Sequence, residues 1–446
     1  MEDPRARVRE VLPTVLEDLD HLVRIPSVAF PGFSSAPVIE AAELTVEILR
    51  ASGVANARLM EIPGGYPAVF GEIQAPPDAP TLLLYAHYDV QPAPMAQGWD
   101  SDPWVPTTKG GRIYGRGAAD DKSGIAIHSG TLRAFSEGPP VGIKILIEGE
   151  EETISHLDAF VEANPSLFRC EAFLVADMGN LEVNRPVLTT SLRGEAACTV
   201  KVRTLDHPLH SGEFGGPVPD ALVALVRMLA TLHDDAGNVA VSGLSSFQWE
   251  GGSYAEEDFR RAAEMLPSVE TVGEGSIGSR LWSKPSINII GLDAPSVREA
   301  SNVLIHEATA KVSIRTMPGS DSEHELKVLM DHLVAAAPWN VHVEVERVKA
   351  GQPFVCDTSG RFFEHARVAM EEAFELEPRE VGCGGTIPLM QTLRNAVPDS
   401  EFILWGAEDL AASRIHGSNE SVDPAEIERL ILAQVLLIER LGAAPR

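Results

Sequence analysis

Residues 81–92 read TLLLYAHYDVQP, a short apolar run that ends in His87 and Asp89. An unbroken apolar run of this length is the pattern of a strand buried on both faces, as in a parallel sheet covered by helices. Three more runs of the same kind surround it, AVFGEI, IKILIE and AFLVAD. Helical patterns fall between several of them, at residues 123–135 and 157–163. Upstream, Val8, Leu12, Val15, Leu16, Leu19 and Leu22 recur at helical spacing, and a second helix is expected over 38–49, with Gly53 where its C-terminal cap would sit. Strands alternating with helices predict an α/β layer with a mostly parallel sheet.

Near residue 190 the texture changes. A strand (ACTVKVR), a helix over 219–232, two strands (SINIIG, ATAKVSIR), a helix over 324–337 and a last strand (VHVEVERV) follow in turn. That βαββαβ order is ferredoxin-like. A polar, Gly-rich stretch over 234–283 interrupts it and reads as a surface excursion. After about residue 350 the α/β texture resumes, with FILWG as a strand and a closing helix over 423–441. The expected architecture is therefore one α/β domain in two parts, 1–190 and 350–446, split by an inserted ferredoxin-like domain over 191–349.

The chain has 446 residues, enough for two or three domains with real cores. A formal net charge of −29 argues against nucleic acid or an anionic membrane as partner. Cys170, Cys198, Cys356 and Cys383 form no C-x-x-C pair, so a disulfide scaffold or cysteine zinc site is not expected and a reducing compartment fits. The first twenty residues carry charges throughout, unlike a secretory signal. No apolar run approaches the roughly 18 residues that span a bilayer. These features together predict a cytoplasmic protein.

Five separated segments place metal-type side chains after predicted strands or in turns, and open α/β sheets keep their sites beyond strand C-termini. His87 and Asp89 are two apart, so in extended chain they share a side. In GRGAADDK, residues 115–122, Asp120 or Asp121 could simply cap the next helix. Two adjacent aspartates would repel a phosphate, which removes the phosphate-loop reading. In IEGEEE, residues 147–152, three successive acids repel one another unless a cation lies near. Asp177 ends the strand FLVAD, and His416 sits in the turn RIHGSNE. Singly, each reads more readily as structural. Collectively they make a carboxylate-rich, two-histidine set suited to two divalent ions.

The segments YAHYDVQP, GRGAADDK, GEEE, VADMG, LHSGEFGG, RTMPG, GGTIP and HGSNE resemble, in order, the pattern of a dinuclear zinc metallopeptidase family. It contains carnosinase-like dipeptidases, aminoacylases, carboxypeptidase G and succinyl-diaminopimelate desuccinylase, and the first of these branches is the most similar. The resemblance implies two Zn2+ per subunit, with Mn2+ or Co2+ as substitutes. One is held by His87, Asp120 and Asp177, the other by Asp120, Glu152 and His416. It further implies that Asp89 orients His87 and that Glu151 is the general base for a zinc-bridging hydroxide. Glu150 as base with Glu151 as ligand stays open. The junction between Asp120 and Asp121 is expected to be a cis peptide. His210, Arg315, Gly385 and Thr386 resemble substrate-binding residues of the lid and the GGTIP loop. The inserted domain is expected to be a lid and dimerisation domain, with His210 completing the partner subunit's site in a homodimer. Two positions depart from the family pattern, Ile154 and Ser123, where glycine is frequent.

The reaction so implied is hydrolysis of the amide bond of a dipeptide or similar short substrate with a free carboxylate. The alternative is an N-acyl-amino-acid deacylase, which uses the same machinery. A non-catalytic metal-dependent binding protein is disfavoured, because the base and all five ligand candidates are present. His128, His207, His306, His324 and Cys383 read as structural.

Overall fold

The computed structural model describes residues 3–443. Among these, the larger sheet has nine strands. Thr81–His87 lies near its middle, parallel to Gly142–Glu148 on one side and to Ala172–Val175 on the other. Glu401–Leu404 continues the parallel run beside Ala172–Val175. Antiparallel pairings, such as Ala68–Ile73 against Gly142–Glu148, flank this centre.

Burial on both faces explains why these strands read as unbroken apolar runs. Side chains alternate across a pleated strand. Leu82, Leu84 and Ala86 accordingly enter a core built with helices Pro4–Val23, Ala36–Ala51, Lys122–Arg133, Arg361–Phe374 and Pro424–Ala443. Leu83 and Tyr85 enter a second core under Leu157–Ala163 and Pro388–Ala396. Gly53 takes a φ of +101° just beyond the helix Ala36–Ala51, a conformation that glycine adopts without steric cost. The helix expected over 123–135 is Lys122–Arg133, because the Asp121 side chain caps it by accepting from the Gly124 N–H.

The second sheet is antiparallel, in the order Ser286–Asp293, Glu307–Thr316, Gly194–Arg203, His342–Gly351. Helices Ala221–Ala230 and Ser322–Ala335 cover one face, packing Leu225, Met228, Leu326 and Leu329 against Cys198, Val200, Ala310 and Val312. This is the ferredoxin-like arrangement expected from the element order.

One expectation needs correction. The stretch 234–283 is not merely a polar surface excursion. It includes a helix, Glu256–Ala262, and a small core of its own, in which Trp282, only 3 % exposed, packs with Trp249 and Tyr254 near Leu181, Val187 and Val381 of the α/β part. The Gly252 N–H donates to Glu380 O at 2.8 Å and ties the stretch to the larger sheet. Aromatic residues scattered through polar text supply an anchor that period counting does not register. No helix among the described residues is long and apolar enough to cross a membrane.

Candidate active site

The three central parallel strands end on one edge of the sheet, so the segments that follow them converge there. His87 closes Thr81–His87, the acids 150–152 follow Gly142–Glu148, and Asp177 lies two residues beyond Ala172–Val175. His87 Nε2 is 3.0 Å from Asp120 Oδ1, 3.7 Å from Asp177 Oδ1 and 3.9 Å from Glu151 Oε2. His416 Nε2 is 3.1 Å from Asp120 Oδ2 and 3.1 Å from Glu152 Oε2. Asp120 thus offers one oxygen to each imidazole.

Surrounding hydrogen bonds set this geometry. The His87 Nδ1 donates to Asp89 O at 3.0 Å, which leaves Nε2 free to act as a ligand. The Asp89 carboxylate itself does a second job, accepting the N–H groups of Glu151 and Glu152 at 3.1 Å each. Asp89 therefore orients both His87 and the acidic turn. Glu420 accepts the N–H groups of Gly117, Ala119 and Asp120 and pairs with Arg116, fixing the loop that presents Asp120. The Asp120–Asp121 peptide is cis. Asp121 faces the other way, accepting from His87 N at 3.2 Å and from Gly124 N at 3.2 Å. Of the two aspartates, then, one caps the helix and the other joins the cluster. Ser123 uses its hydroxyl to hold Ala119 O at 2.6 Å, and Ile154 is 82 % exposed, so neither departure from the family pattern removes a side chain from the cluster.

The three consecutive acids also separate. Glu151 joins His87 and Asp177 in one group of ligand-type atoms within 4.8 Å of each other, and Glu152 joins Asp120 and His416 in another. Glu150 pairs instead with His156 Nδ1 at 3.0 Å and belongs to neither group. The reading with Glu150 as base has no geometric support.

The cluster is short of positive charge. Burial, and then the charges of Asp177, Glu152 and Asp120, push the Glu151 carboxyl well above the usual range against the opposing pull of His87. Burial and Asp120 push Glu152 up to about 7. Hydrogen bonds to Asp120 and Glu152 raise the His416 imidazole to about 11. Groups that hold protons this tightly stand where a stronger cation fits. Imidazole nitrogens and carboxylate oxygens, with no thiolate, match borderline divalent ions.

Arg315 Nη1 donates to Thr386 Oγ1 at 3.1 Å and lies 3.7 Å from Glu195 Oε2. Thr386 Oγ1 donates to Arg193 O at 2.5 Å, and the Gly385 N–H faces Cys383 Sγ at 3.3 Å. Arg315 belongs to the smaller sheet and Thr386 to the α/β part, so the pair links the two. His210 ends a two-residue strand, is exposed, and accepts from Gly212 N at 3.1 Å. Among the described residues no hydrogen bond or ion pair joins it to the cluster. His128, read as structural, is buried between Tyr85 O and Gln434.

Sequence reasoning missed Glu408, Glu420 and Gln91. Gln91 Nε2 donates to Glu152 Oε2 at 2.7 Å. Glu408 places a carboxylate oxygen within 4.8 Å of ligand-type atoms of Asp120 and Asp177. Its signal was available, since GAED leaves the apolar run FILWG much as Asp177 leaves FLVA. Glu420 lies inside HGSNE, a motif read only for its histidine.

An α/β sheet bearing paired imidazoles and a shared carboxylate at its strand ends, with a ferredoxin-like insertion, defines a metal-dependent hydrolase. The sequence model of peptidase family M20/M25/M40 matches residues 83–440, and the chain belongs to that family. It is 38 % identical over 373 residues to a cysteinylglycine-S-conjugate dipeptidase of Corynebacterium striatum, covering 82 % of each chain. It is 28 % identical over 378 residues to a Beta-Ala-His dipeptidase of Homo sapiens, covering 80 % of this chain and 74 % of that one. In fold it is similar to the dipeptidase Dug1p from Saccharomyces cerevisiae, with a TM-score of 0.83 at 24 % identity over 99 % of this chain and 98 % of that one. Human carnosine dipeptidase 1 gives a TM-score of 0.82 at 23 % identity, again over 99 % and 98 %.

Proposed function

We propose that this protein is a metal-dependent dipeptidase that hydrolyses the amide bond of substrates bearing a free carboxylate. The observation that carries this reading is the sharing of Asp120 between His87 and His416 with Glu151 beside them. His87, Asp120 and Asp177 would hold one divalent cation, and Asp120, Glu152 and His416 a second, with zinc the metal we favour. Bound there, the cations polarise the scissile carbonyl and acidify water. Glu151 accepts the proton of the attacking water and passes it to the leaving amine. Asp89 keeps Glu151 in place through its backbone N–H. Arg315 supplies a two-pronged grip on the substrate carboxylate, with Thr386 and the Gly385 N–H lining the same loop.

The division into 1–190, 191–349 and 350–446 gives a split catalytic domain and an inserted lid. We assign the lid to homodimerisation. Its edge strand Ser286–Asp293 has one unpaired side and carries Ile289, Ile290 and Leu292 about half exposed, which supports pairing with a second copy. In that dimer His210 of the partner subunit reaches the oxyanion. Four unpaired cysteines support a reducing compartment, and we assign the enzyme to the cytoplasm.

The deacylase alternative is not favoured, because the curated relatives named above are dipeptidases. A hydrolysis screen of metal-reconstituted protein tests the choice. Free dipeptides are expected to be cleaved, with N-acyl amino acids and C-terminally amidated dipeptides much poorer. Preference for N-acyl amino acids would overturn the assignment, and indifference to amidation would remove Arg315 from its role.

A further inference from the structure

Glu408 is a buried carboxylate that the mechanism above leaves unused. It is 9 % exposed, and among the described residues no side-chain hydrogen bond or ion pair satisfies it. Pairing of Glu408 with Gly179 across a short parallel bridge fixes its position two residues from Asp177 of the cluster. One of its oxygens lies within 4.8 Å of ligand-type atoms of both Asp120 and Asp177. A carboxylate buried without a partner is costly, so a site that keeps one is built for a cation that arrives later.

We propose that Glu408 recognises the α-ammonium group of the substrate and so selects free dipeptides over N-acyl amino acids. The inference rests on the dipeptidase reading and deepens it. In an α-dipeptide a single carbon separates the ammonium nitrogen from the scissile carbonyl. Whatever recognises that nitrogen must therefore stand beside the groups that hold the carbonyl, as Glu408 does. Charge points the same way. With two divalent cations bound, the carboxylates of Asp120, Asp177, Glu152 and Glu151 would match their charge, and an ionised Glu408 would add one negative charge more. A substrate ammonium supplies the matching positive charge and three N–H donors. Glu408 is also close enough to Asp120 and Asp177 to be an additional metal ligand, but each proposed cation already has three protein ligands and needs open positions for water and substrate. An N-acyl amino acid brings no charge to this point and leaves Glu408 unpaired, which is how a site built for a charged group rejects a neutral analogue.

The test compares alanyl-glycine with propionyl-glycine, which lacks only the amine, using zinc-reconstituted wild type, Glu408→Gln and Glu408→Asp. Wild type is expected to prefer alanyl-glycine by about 100-fold in kcat/KM. Glu408→Gln is expected to lose most of that preference, chiefly through KM, while binding as much metal as wild type. Glu408→Asp, which keeps the charge, recovers part of the preference. Calorimetry of the same proteins with L-alanine and propionate gives a readout without turnover, and Glu408→Gln should weaken L-alanine alone. An equal fall on both substrates, or loss of a metal equivalent from Glu408→Gln, overturns the proposal. Wild-type protein inert towards alanyl-glycine and other dipeptides would instead sink the dipeptidase reading, and this inference with it.

Discussion

Asp120 offers one oxygen to His87 and one to His416, and this sharing decides what the neighbouring acids are free to do. With Glu152 drawn towards His416 and Glu150 engaged by His156, Glu151 is the acid left beside His87 and Asp177. Glu151→Gln should therefore keep its bound metal while kcat falls by about 100-fold or more, the usual contribution of a general base. Metal analysis alongside dipeptide turnover checks this, and near-normal kcat would refute the assignment. At this scale the sequence exposed the cluster's five ligand candidates, because each breaks the texture of an apolar run or a turn. It could not separate three adjacent glutamates, whose directions depend on Asp89 and His156 from elsewhere in the chain. Glu408 and Glu420 escaped for the related reason that an isolated acid acquires meaning only from what the fold brings next to it.

At the scale of the element, the helix Lys122–Arg133 shows how the framework holds the site. It begins at the capping Asp121 and is anchored midway by His128, whose Nε2–H donates to Tyr85 O at 2.9 Å while Nδ1 accepts from Gln434 Nε2 at 3.1 Å. The bond accepted by Nδ1 requires a neutral ring, and burial lowers the imidazole to about 4. In the unfolded chain the ring takes up a proton near 6.5. The stability it contributes is thus fully present above about pH 6.5 and is lost as the pH falls towards 4. Chemical unfolding at pH 7 and pH 5 should show the advantage of wild type over His128→Asn shrinking by about 2 kcal/mol. A gap that stays constant would mean that the ring is not held neutral. Strands and helices were legible because burial imposes its period on them. The stretch 234–283 was not, since Trp249, Tyr254 and Trp282 pack as a tertiary cluster with no local period.

For the whole molecule, the central question is whether one chain makes a complete site. His210 stands exposed beside the smaller sheet's domain, with Gly212 as its hydrogen-bond partner. If His210 acts across a dimer, mixing inactive His210→Ala with inactive Glu151→Gln under subunit exchange creates heterodimers with one intact site, and turnover returns. Action within one chain leaves every site defective and the mixture silent. The two-sheet architecture was legible from the switch in element order near residue 190, but contacts between copies of a chain leave no periodic trace in its sequence. The proposed chemistry depends on two cations sharing Asp120. Its most direct test is stepwise return of zinc to metal-stripped protein, with bound metal and dipeptide hydrolysis measured together. No turnover is expected without metal, and full turnover only as the second equivalent per chain is filled. Full activity in metal-free protein, or saturation at a single equivalent, would contradict it.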